Sequence, residues 1–328
     1  MRAVVIRDFG PVGSAAIEDI ATPEAGVGEV LIRIAAVAAN FVDTLVMTGK
    51  YQFLPERPFV PGKLPVGTVE AVGAGVDRLK VGDRVLTLAE HGGYAEAVSV
   101  ADDQCILLPD SLSFPEAASM ALAYDTAWFA LTERARFQKG ETVLVLGATG
   151  AVGLAAMQLA KAKGARVLAG VSSLGKADLV RQAGADEIID LSVDNLRDGL
   201  REQVRDVTAG NGADIVIDML GGSFFDAALR ALAWRGRLVV IGFASGRIPE
   251  IKANYLLVKN IEVSGLQVSD YRKRMPDLMR QCFVDIFELH ERGVIAAASP
   301  AIFALADYDK ALNGLLERQI KGRAVICP

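Results

Sequence analysis

The spacing of apolar positions divides the chain into two parts with different patterns. From residue 1 to about 120, short runs of β-branched and aliphatic residues alternate with glycine and proline turns. Many short strands with close turns are typical of a small barrel-like domain. The strands that this pattern predicts are Ala3–Ile6, Glu29–Ala36, Gly67–Val72, Arg84–Leu88 and Tyr94–Val100.

Helical spacing begins at Phe114. Ser113 can cap this helix and Pro115 suits its first turn, and alanine-rich helices continue to Arg136. Beyond them, short apolar runs alternate with helical segments, which predicts an α/β fold with a doubly wound parallel sheet of the Rossmann type. The predicted segments are 142–146, 151–163, 166–171, 175–183, 187–189, 194–208, 214–218, 223–233 and 237–242.

The alternation of strands and helices becomes less regular towards the end of the given sequence. Asn260–Ser264 is predicted to be an edge strand of the parallel sheet, because it follows the last strand of the alternating series. A helix is predicted near Met275–Arg292 and a short strand at Arg323–Ile326. We expect this tail to rejoin the first, mostly β domain.

The most informative motif follows the predicted strand 142–146. Ala148, Thr149, Gly150, Ala151, Val152 and Gly153 form an A-x-G-x-x-G turn between a strand and a helix. Such a turn lets a pyrophosphate approach the backbone at a helix N-terminus, where N–H groups and the helix dipole favour an anion. These residues are therefore predicted to bind a dinucleotide.

The end of the next strand indicates which dinucleotide. Where NAD-binding units carry an acidic residue for the ribose hydroxyls, this chain has Ser172 and Ser173, followed by Lys176. No carboxylate is present there to repel a 2′-phosphate, and two hydroxyls and an ammonium can bind one. We predict NADP(H) rather than NAD(H); the alternative is an ordinary βα loop.

Composition narrows the classes of partner and location. The net charge is −5 and no long basic run exists, which argues against nucleic acid or an anionic membrane as the main partner. Three widely separated cysteines suggest free thiols in a reducing cytosol, and the first residues resemble a strand rather than a signal peptide. We expect a cytoplasmic protein that acts on a small molecule.

Several short segments together resemble a known family. They are Asn40-Phe41-Val42-Asp43-Thr44, Gly49-Lys50-Tyr51, Val66–Gly73, Val81–Val85, Gly92–Glu96, Leu108-Pro109-Asp110, Thr126-Ala127, the nucleotide turn, Ser172–Lys176 and Lys321-Gly322-Arg323. On these, the chain resembles the zinc-free, zeta-crystallin-like quinone oxidoreductases of the medium-chain dehydrogenase/reductase superfamily. The resemblance covers essentially the full length.

The resemblance implies an architecture and an activity. A GroES-like, mostly β catalytic domain of residues 1–122 and 266–328 would enclose a Rossmann NADP-binding domain of residues 123–265. It also implies NADPH, a homodimer, and reduction of a quinone or of the activated C=C bond of an enone. The expected substrate is thus a small-molecule quinone or α,β-unsaturated carbonyl.

The zinc branch of the superfamily is excluded by the donor residues. Where zinc enzymes carry a cysteine, this chain has Ala38-Ala39, and where they carry Gly-His-Glu it has Gly62-Lys63-Leu64. A catalytic zinc needs three or four converging Cys, His or carboxylate ligands, and the chain has only two histidines. We expect no metal, and we expect His91 to be a surface loop residue.

The resemblance also assigns candidate site residues. Asn40, Asp43 and Tyr51 are the candidate catalytic residues: the Asn40 amide could donate to the substrate or cofactor, and Tyr51 lies where related enoyl-thioester reductases carry a proton donor. A turn Asn, a local structural Asp and an exposed loop Tyr are the alternatives. Further candidate cofactor residues are Thr126, Phe243, Ala244 and Arg323.

Some positions depart from the family, and other functions stay open. Leu64, Leu45 and Leu191 replace residues that are often Glu, aromatic and Tyr, which suggests a more apolar pocket for a bulkier enone. The alternatives are a trans-2-enoyl-thioester reductase and a non-catalytic NADPH-binding structural or regulatory protein. The retained nucleotide turn, Asn40 and Tyr51 favour an enzyme.

Overall fold

The computed structural model describes residues 1–320 and 322–328 and divides the chain into two units. Unit 1 comprises Met1–Leu122, Arg272–Glu291 and Ala296–Pro328, and unit 2 comprises Ala123–Tyr271 and Arg292–Ile295. The domain boundaries expected from the sequence stay a prediction, because two compact units need not be the parts of the chain that fold independently. No helix in the described part of the chain is long and apolar enough to cross a membrane.

The strands and helices are numbered here in chain order. Strands β1 to β15 are Arg2–Val5, Ala16–Asp19, Glu29–Ala38, Val66–Val72, Arg84–Thr87, Ala97–Ala101, Cys105–Leu107, Thr142–Leu146, Arg166–Val171, Glu187–Asp190, Ala213–Asp218, Leu232–Val240, Glu262–Gly265, Pro300–Ala304 and Arg323–Cys327. Helices α1 to α10 are Phe41–Met47, Phe114–Phe129, Ala151–Ala162, Ala177–Gln182, Leu196–Val207, Gly222–Ala231, Ala253–Lys259, Val268–Arg274, Pro276–Glu291 and Tyr308–Leu316.

Unit 2 is built on a parallel sheet. Among the described residues the sheet has the strand order β10-β9-β8-β11-β12-β13, which is the Rossmann order with its reversal between β8 and β11. The strands are nearly continuous apolar runs because helices cover both faces, and Leu144, Val216 and Leu238 are fully buried. The predicted fold class and the edge position of β13 are confirmed.

Unit 1 contains the antiparallel, mostly β part. Its larger sheet has the order β14-β15-β3-β4-β5-β7 in the described chain, and β6 also pairs with β3. β15 pairs antiparallel with β3 at Val325↔Ala38 and Ile326↔Val37. The expectation that the tail rejoins the first part of the chain is therefore confirmed.

Local differences from the sequence predictions have simple causes. The helix predicted at 223–233 ends at Ala231, because Leu232 already enters the sheet opposite Ala213. The strand predicted from Tyr94 begins at Ala97, because the Tyr94 N–H donates to the Pro61 carbonyl and its side chain is buried. The sequence pattern missed β2, β7, β14, α1, α7, α8 and α10, which are all short.

Candidate functional site

The predicted nucleotide turn of unit 2 has the geometry that a pyrophosphate needs. β8 ends at Leu146, Gly147 adopts a φ of +72°, and α3 begins at Ala151. A Cβ on Gly153 would lie 2.5 Å from the Gly147 carbonyl oxygen, so only glycine lets the helix start this close to the turn. The N-terminus of α3 therefore lies directly at the end of the strand.

The first turn of α3 is available to an anion. Its N-cap residue, Gly150, provides no side-chain cap, and no acidic residue lies in the first turn. The first N–H groups of a helix have no partner within the helix, and the dipole adds partial positive charge there. Ala151, Val152 and Gly153 present these groups, while Ala148 is buried and Thr149 is half-buried. The residues fit the diphosphate of a dinucleotide.

Ser172, Ser173 and Lys176 lie after β9, at the same edge of the sheet. β9 runs parallel to β8, with Gly170 opposite Leu146, so both strands end at this edge. All three residues are exposed. Within residues 1–320 and 322–328, Lys176 makes no ion pair within 4.0 Å. The hydroxyls and the ammonium thus remain available for a 2′-phosphate.

A third loop at this edge was missed by sequence reasoning. Asp218 ends β11, and its Oδ1 accepts hydrogen bonds from the N–H groups of Leu220 at 2.8 Å and Gly221 at 3.0 Å. Leu220 approaches Gly147, where a Cβ would lie 3.1 Å from its side chain. The sequence did contain a signal for this loop. It is an aspartate at the end of an apolar strand, with two glycines shortly after it.

Phe243 and Ala244 join this loop. The Ala244 N–H donates to the Met219 carbonyl at 3.1 Å, and the Phe243 ring lies so close to Gly221 that a Cβ there would be 2.9 Å from it. Burial raises the pKa of Asp218, and its Oδ2 has no hydrogen-bond partner in the described chain. The structure brings the nucleotide turn and the loops after β9, β11 and β12 to one edge.

Thr126 lies in α2, in the part that belongs to unit 2. It is buried, and its N–H donates to Asp125 Oδ1 at 2.5 Å. Its cofactor role stays a prediction.

Two of the candidate catalytic residues form a buried cluster in unit 1. Asp43 is 1% exposed, and its Oδ2 accepts hydrogen bonds from the Asn40 N–H at 2.8 Å and the Tyr94 hydroxyl at 3.0 Å. Burial raises the pKa of Asp43 to about 6, although these hydrogen bonds and the charge of Lys63 act against it. Burial also raises the pKa of Tyr94 well above its ordinary value. Asp43 therefore anchors the start of α1.

Arg323 holds the Asn40 side chain in place. Its Nη2 donates to Asn40 Oδ1 at 2.7 Å and its Nε donates to the Ser119 carbonyl at 3.2 Å, while Asn40 Nδ2 donates to the Ala38 carbonyl at 3.0 Å. The cofactor role that the resemblance implies for Arg323 stays a prediction. Its observed contact is with a candidate catalytic residue. Lys321, from the same motif, lies outside the described residues.

A buried ionic cluster lies beside these residues and was not predicted. Lys63 Nζ contacts Glu90 Oε2 at 2.5 Å, and Arg272 Nη1 contacts Glu90 Oε1 at 2.6 Å. Burial would raise the pKa of Glu90, but the charges of Arg272 and Lys63 outweigh it and hold the pKa at about 2. Glu90 is therefore ionised at neutral pH.

Tyr51 and His91 lie next to this cluster. The ring centroid of Tyr51 is 5.8 Å from Lys63 Nζ, and Tyr51 is half-buried rather than an exposed loop residue. His91 lies in a loop, as expected, and is half-buried rather than fully exposed, with its ring 5.9 Å from that of Phe59. Burial and the charge of Lys63 lower the pKa of His91 to about 4, and it is neutral at pH 7.

The three positions that depart from the family differ in exposure. Leu64 and Leu191 are buried, and Leu45 is half-buried. At two of the three positions the apolar side chain is therefore buried.

Comparisons with known proteins agree with this geometry. Residues 26–110 match the family described as alcohol dehydrogenase GroES-like domain, and residues 151–283 match the family described as zinc-binding dehydrogenase. Although that description names zinc, the described chain contains no group of three or more His, Cys, Asp or Glu side chains able to hold a metal ion.

Curated relatives match over nearly the whole length. A quinone oxidoreductase-like protein 2 homolog of Nematostella vectensis is 37% identical over 99% of this chain and 88% of its own. A quinone oxidoreductase of Pseudomonas aeruginosa is 35% identical over 94% of each chain. A mycobacterial protein solved in complex with NADPH is 32% identical, covers 100% of both chains and has a TM-score of 0.91. This chain therefore belongs to the quinone oxidoreductase family of the medium-chain dehydrogenase/reductase superfamily.

Proposed function

We propose that this protein is an NADPH-dependent, metal-free reductase of quinones and of activated C=C bonds in enones. The observation that carries the proposal is the edge of the unit 2 sheet, where an open helix N-terminus and an exposed Ser-Ser-Lys set lie after adjacent strands. The helix N-terminus suits the diphosphate of the cofactor, and the Ser-Ser-Lys set suits its 2′-phosphate. The NADPH complex of the mycobacterial neighbour supports the choice of cofactor.

When bound, NADPH supplies the hydride that the reduction requires. The residues of unit 1 are proposed to orient the acceptor and to stabilise the negative charge that develops on it. Asn40, fixed by Arg323, is proposed as a hydrogen-bonding residue for the acceptor, and Tyr51 as a hydroxyl that gives it a proton. Asp43 fixes the helix start on which Asn40 lies.

The metal-free step is supported by the side chains at the two positions where zinc enzymes carry ligands. Lys63 and Leu64 are poor replacements for zinc ligands, because Lys63 Nζ is engaged in an ion pair with Glu90 and Leu64 has no donor atom. Dialysis against a chelator should leave the rate unchanged. A rate that falls with the chelator and returns with zinc would contradict the proposal.

The decisive experiment is an NADPH-oxidation screen over quinones, enones and enoyl thioesters, with NADPH affinity measured in parallel by fluorescence. We expect turnover with quinones and enones, since these take a hydride without a thioester-binding site. Turnover confined to enoyl thioesters would assign the alternative enzyme class. Tight NADPH binding with no turnover on any of the three would contradict an enzymatic role.

A further inference from the structure

Unit 2 contains a cavity at the edge of its sheet that lies opposite the nucleotide turn. The cavity has a volume of about 440 Å³, which is within the range of small-molecule sites. Its lining comes from the segments just before β8 and β9, so it lies where these parallel strands begin. The lining consists of three cations, one amide, one hydroxyl and one phenyl ring: Arg136, Lys139, Lys163, Gln138, Thr132 and Phe137. Among the described residues that line it, none carries a carboxylate.

Hydrogen bonds hold the loop that carries most of this lining, between α2 and β8. The Gln138 N–H donates to Glu141 Oε2 at 2.7 Å, and Glu141 also forms an ion pair with Arg237. The Gly140 N–H donates to the Gly164 carbonyl at 3.1 Å, which ties the loop to the end of α3. The lining side chains therefore extend from a backbone that is fixed on both sides of the cavity.

The cations of the lining have little negative charge to balance them. Within the described part of the chain, Lys139 and Lys163 make no ion pair within 4.0 Å. The Lys139 stem packs on Gly164, where a Cβ would lie 3.1 Å from Lys139 Cγ, and Gly164 directly follows Lys163. Arg136 pairs with Glu262 at 2.5 Å, but both side chains are more than half exposed, so solvent screens this pair. The cavity therefore has a positive field that an anion would neutralise.

Thr132 adds a hydroxyl whose hydrogen-bonding capacity is unused within the described chain. Its Oγ1 is buried and has no hydrogen-bond partner there. It lies in a π-helical segment, Ala130–Arg134, that continues α2, and the Ala135 N–H donates to the Ala130 carbonyl at 2.8 Å. Such π-helical turns occur frequently at functional sites. A buried hydroxyl without a partner is unfavourable, and a ligand oxygen that accepts its proton would remove this penalty.

We propose that this cavity binds a small organic phosphate. The phosphate group lies between the Lys139 and Lys163 ammonium groups, which supply charge-assisted hydrogen bonds, and the Thr132 hydroxyl donates to one of its oxygens. The Phe137 ring provides apolar surface for the organic part. The site is separate from the nucleotide turn, because the five residues of β8 span about 17 Å between the two edges of the sheet. It neither requires nor replaces the proposed reductase function.

The first test is a calorimetric titration with phenyl phosphate in protein saturated with NADPH, which keeps the probe away from the nucleotide turn. We expect one binding site, with an affinity that falls as the salt concentration rises. Lys139→Met and Lys163→Met should each raise the Kd for phenyl phosphate by about 10-fold or more, since each removes a charge-assisted hydrogen bond. Lys252→Met is the matched control, because Lys252 is an exposed lysine of unit 2 outside the lining. The Kd for NADPH should stay unchanged in all three variants.

Thr132→Val separates a ligand-binding role of the hydroxyl from a structural one. Valine keeps the shape of the side chain and removes only a hydroxyl that has no partner in the described chain. We expect the melting temperature to stay the same or to rise, because an unpaired buried polar group is lost, whereas the Kd for phenyl phosphate should rise severalfold. A lower melting temperature with an unchanged Kd would contradict the place of Thr132 in the site.

The organic part of the ligand is tested with inorganic phosphate as a second probe. Phenyl phosphate should bind more tightly than inorganic phosphate, and Phe137→Leu should remove most of this difference. Equal affinities of the wild type for the two probes would overturn the assignment of an organic ligand.

The alternative is that these cations only offset the partial negative charge at the C-terminal ends of α2 and α3. It predicts lower melting temperatures for the lysine variants and no binding of either probe by the wild type. No binding, or binding that Lys139→Met and Lys163→Met leave unchanged, would overturn the site. If the wild type binds phenyl phosphate through these lysines but oxidises no NADPH, the site stands and the reductase function fails. If it binds no NADPH at all, the cofactor assignment fails, and the same variants titrated without NADPH still test the cavity.

Discussion

At the scale of single residues, burial and neighbouring charges together set the protonation of two carboxyl groups in unit 1. Asp43 and Glu90 are both carboxylates, yet the pKa of Asp43 is raised to about 6 and that of Glu90 is lowered to about 2. The difference arises because Glu90 lies between two cations, whereas Asp43 has only neutral hydrogen-bond donors in contact. The same interior thus holds one carboxyl group that titrates near pH 6 and one that stays ionised.

The raised pKa of Asp43 predicts a specific dependence of stability on pH. Its ordinary value is 3.8, so the folded state holds the proton more tightly than the unfolded state. The free energy of unfolding should therefore fall as pH rises from about 4 to about 6, by at most about 3 kcal/mol from this group. Urea unfolding of wild type and Asp43→Asn at pH 4 and pH 7 measures it. A constant difference between the two proteins would refute the assignment.

Lys176 is predicted to decide the choice between NADPH and NADH. Lys176→Ala should raise the Kd for NADPH by about 10- to 150-fold, since a charge-assisted hydrogen bond contributes roughly 1.5–3 kcal/mol. The Kd for NADH, which lacks the 2′-phosphate, should stay almost unchanged. Titration calorimetry with both cofactors checks this. Equal losses for both would show that Lys176 acts on the fold rather than on the phosphate.

At the scale of elements, the close approach of α3 to the turn after β8 depends on one missing side chain. Gly153→Ala would place a Cβ 2.5 Å from the Gly147 carbonyl oxygen and 2.8 Å from Ala148 Cα, both backbone atoms. The helix start must then shift, so we expect a loss of about 1–3 kcal/mol in stability and weaker NADPH binding.

Gly150→Ala is the matched control for this prediction. Gly150 has an ordinary φ of −80°, and a Cβ there would lie 3.3 Å from the Gly147 oxygen. Thermal melts of the two variants should differ clearly, with the Gly150 variant the more stable. If both melt like the wild type, the turn is more adaptable than its geometry indicates.

The elements were largely predictable from the sequence, whereas the contacts within unit 1 were not. β8, α3 and β9 follow from local apolar spacing and from glycines that the turn requires. The pairs Asn40–Arg323 and Glu90–Arg272 join residues 283 and 182 positions apart, and no local pattern specifies them. The burial of Lys63 was not predicted either, because its partner Glu90 lies 27 positions away in the chain.

At the scale of the whole molecule, the free edge of the parallel sheet predicts a homodimer. β13 is the last strand of the sheet and pairs only with β12 in the described chain. Two such edges related by a two-fold axis would form one continuous sheet. Leu257 and Val258, in the preceding helix, are 79% and 76% exposed, which is costly for a monomer.

Light scattering at micromolar concentration tests the dimer directly, and a monomeric wild type would contradict it. Val263→Pro, in the middle of β13, should block the strand ladder and give a monomer. Its melting curve must show that the chain still folds, because proline can also disturb the pairing with β12. Dimers that survive this substitution would point to a different interface.

The insertion of β15 beside β3 has a consequence for the order in which the site comes into being. A ribosome delivers Val37 and Ala38 long before Val325, Ile326 and the guanidinium that fixes Asn40. The nucleotide-binding loops of unit 2 have been translated by then. A nascent chain should therefore be able to complete its cofactor fold before its substrate fold, so a truncation just before β15 should remove the support of Asn40 and leave the nucleotide-binding loops in place.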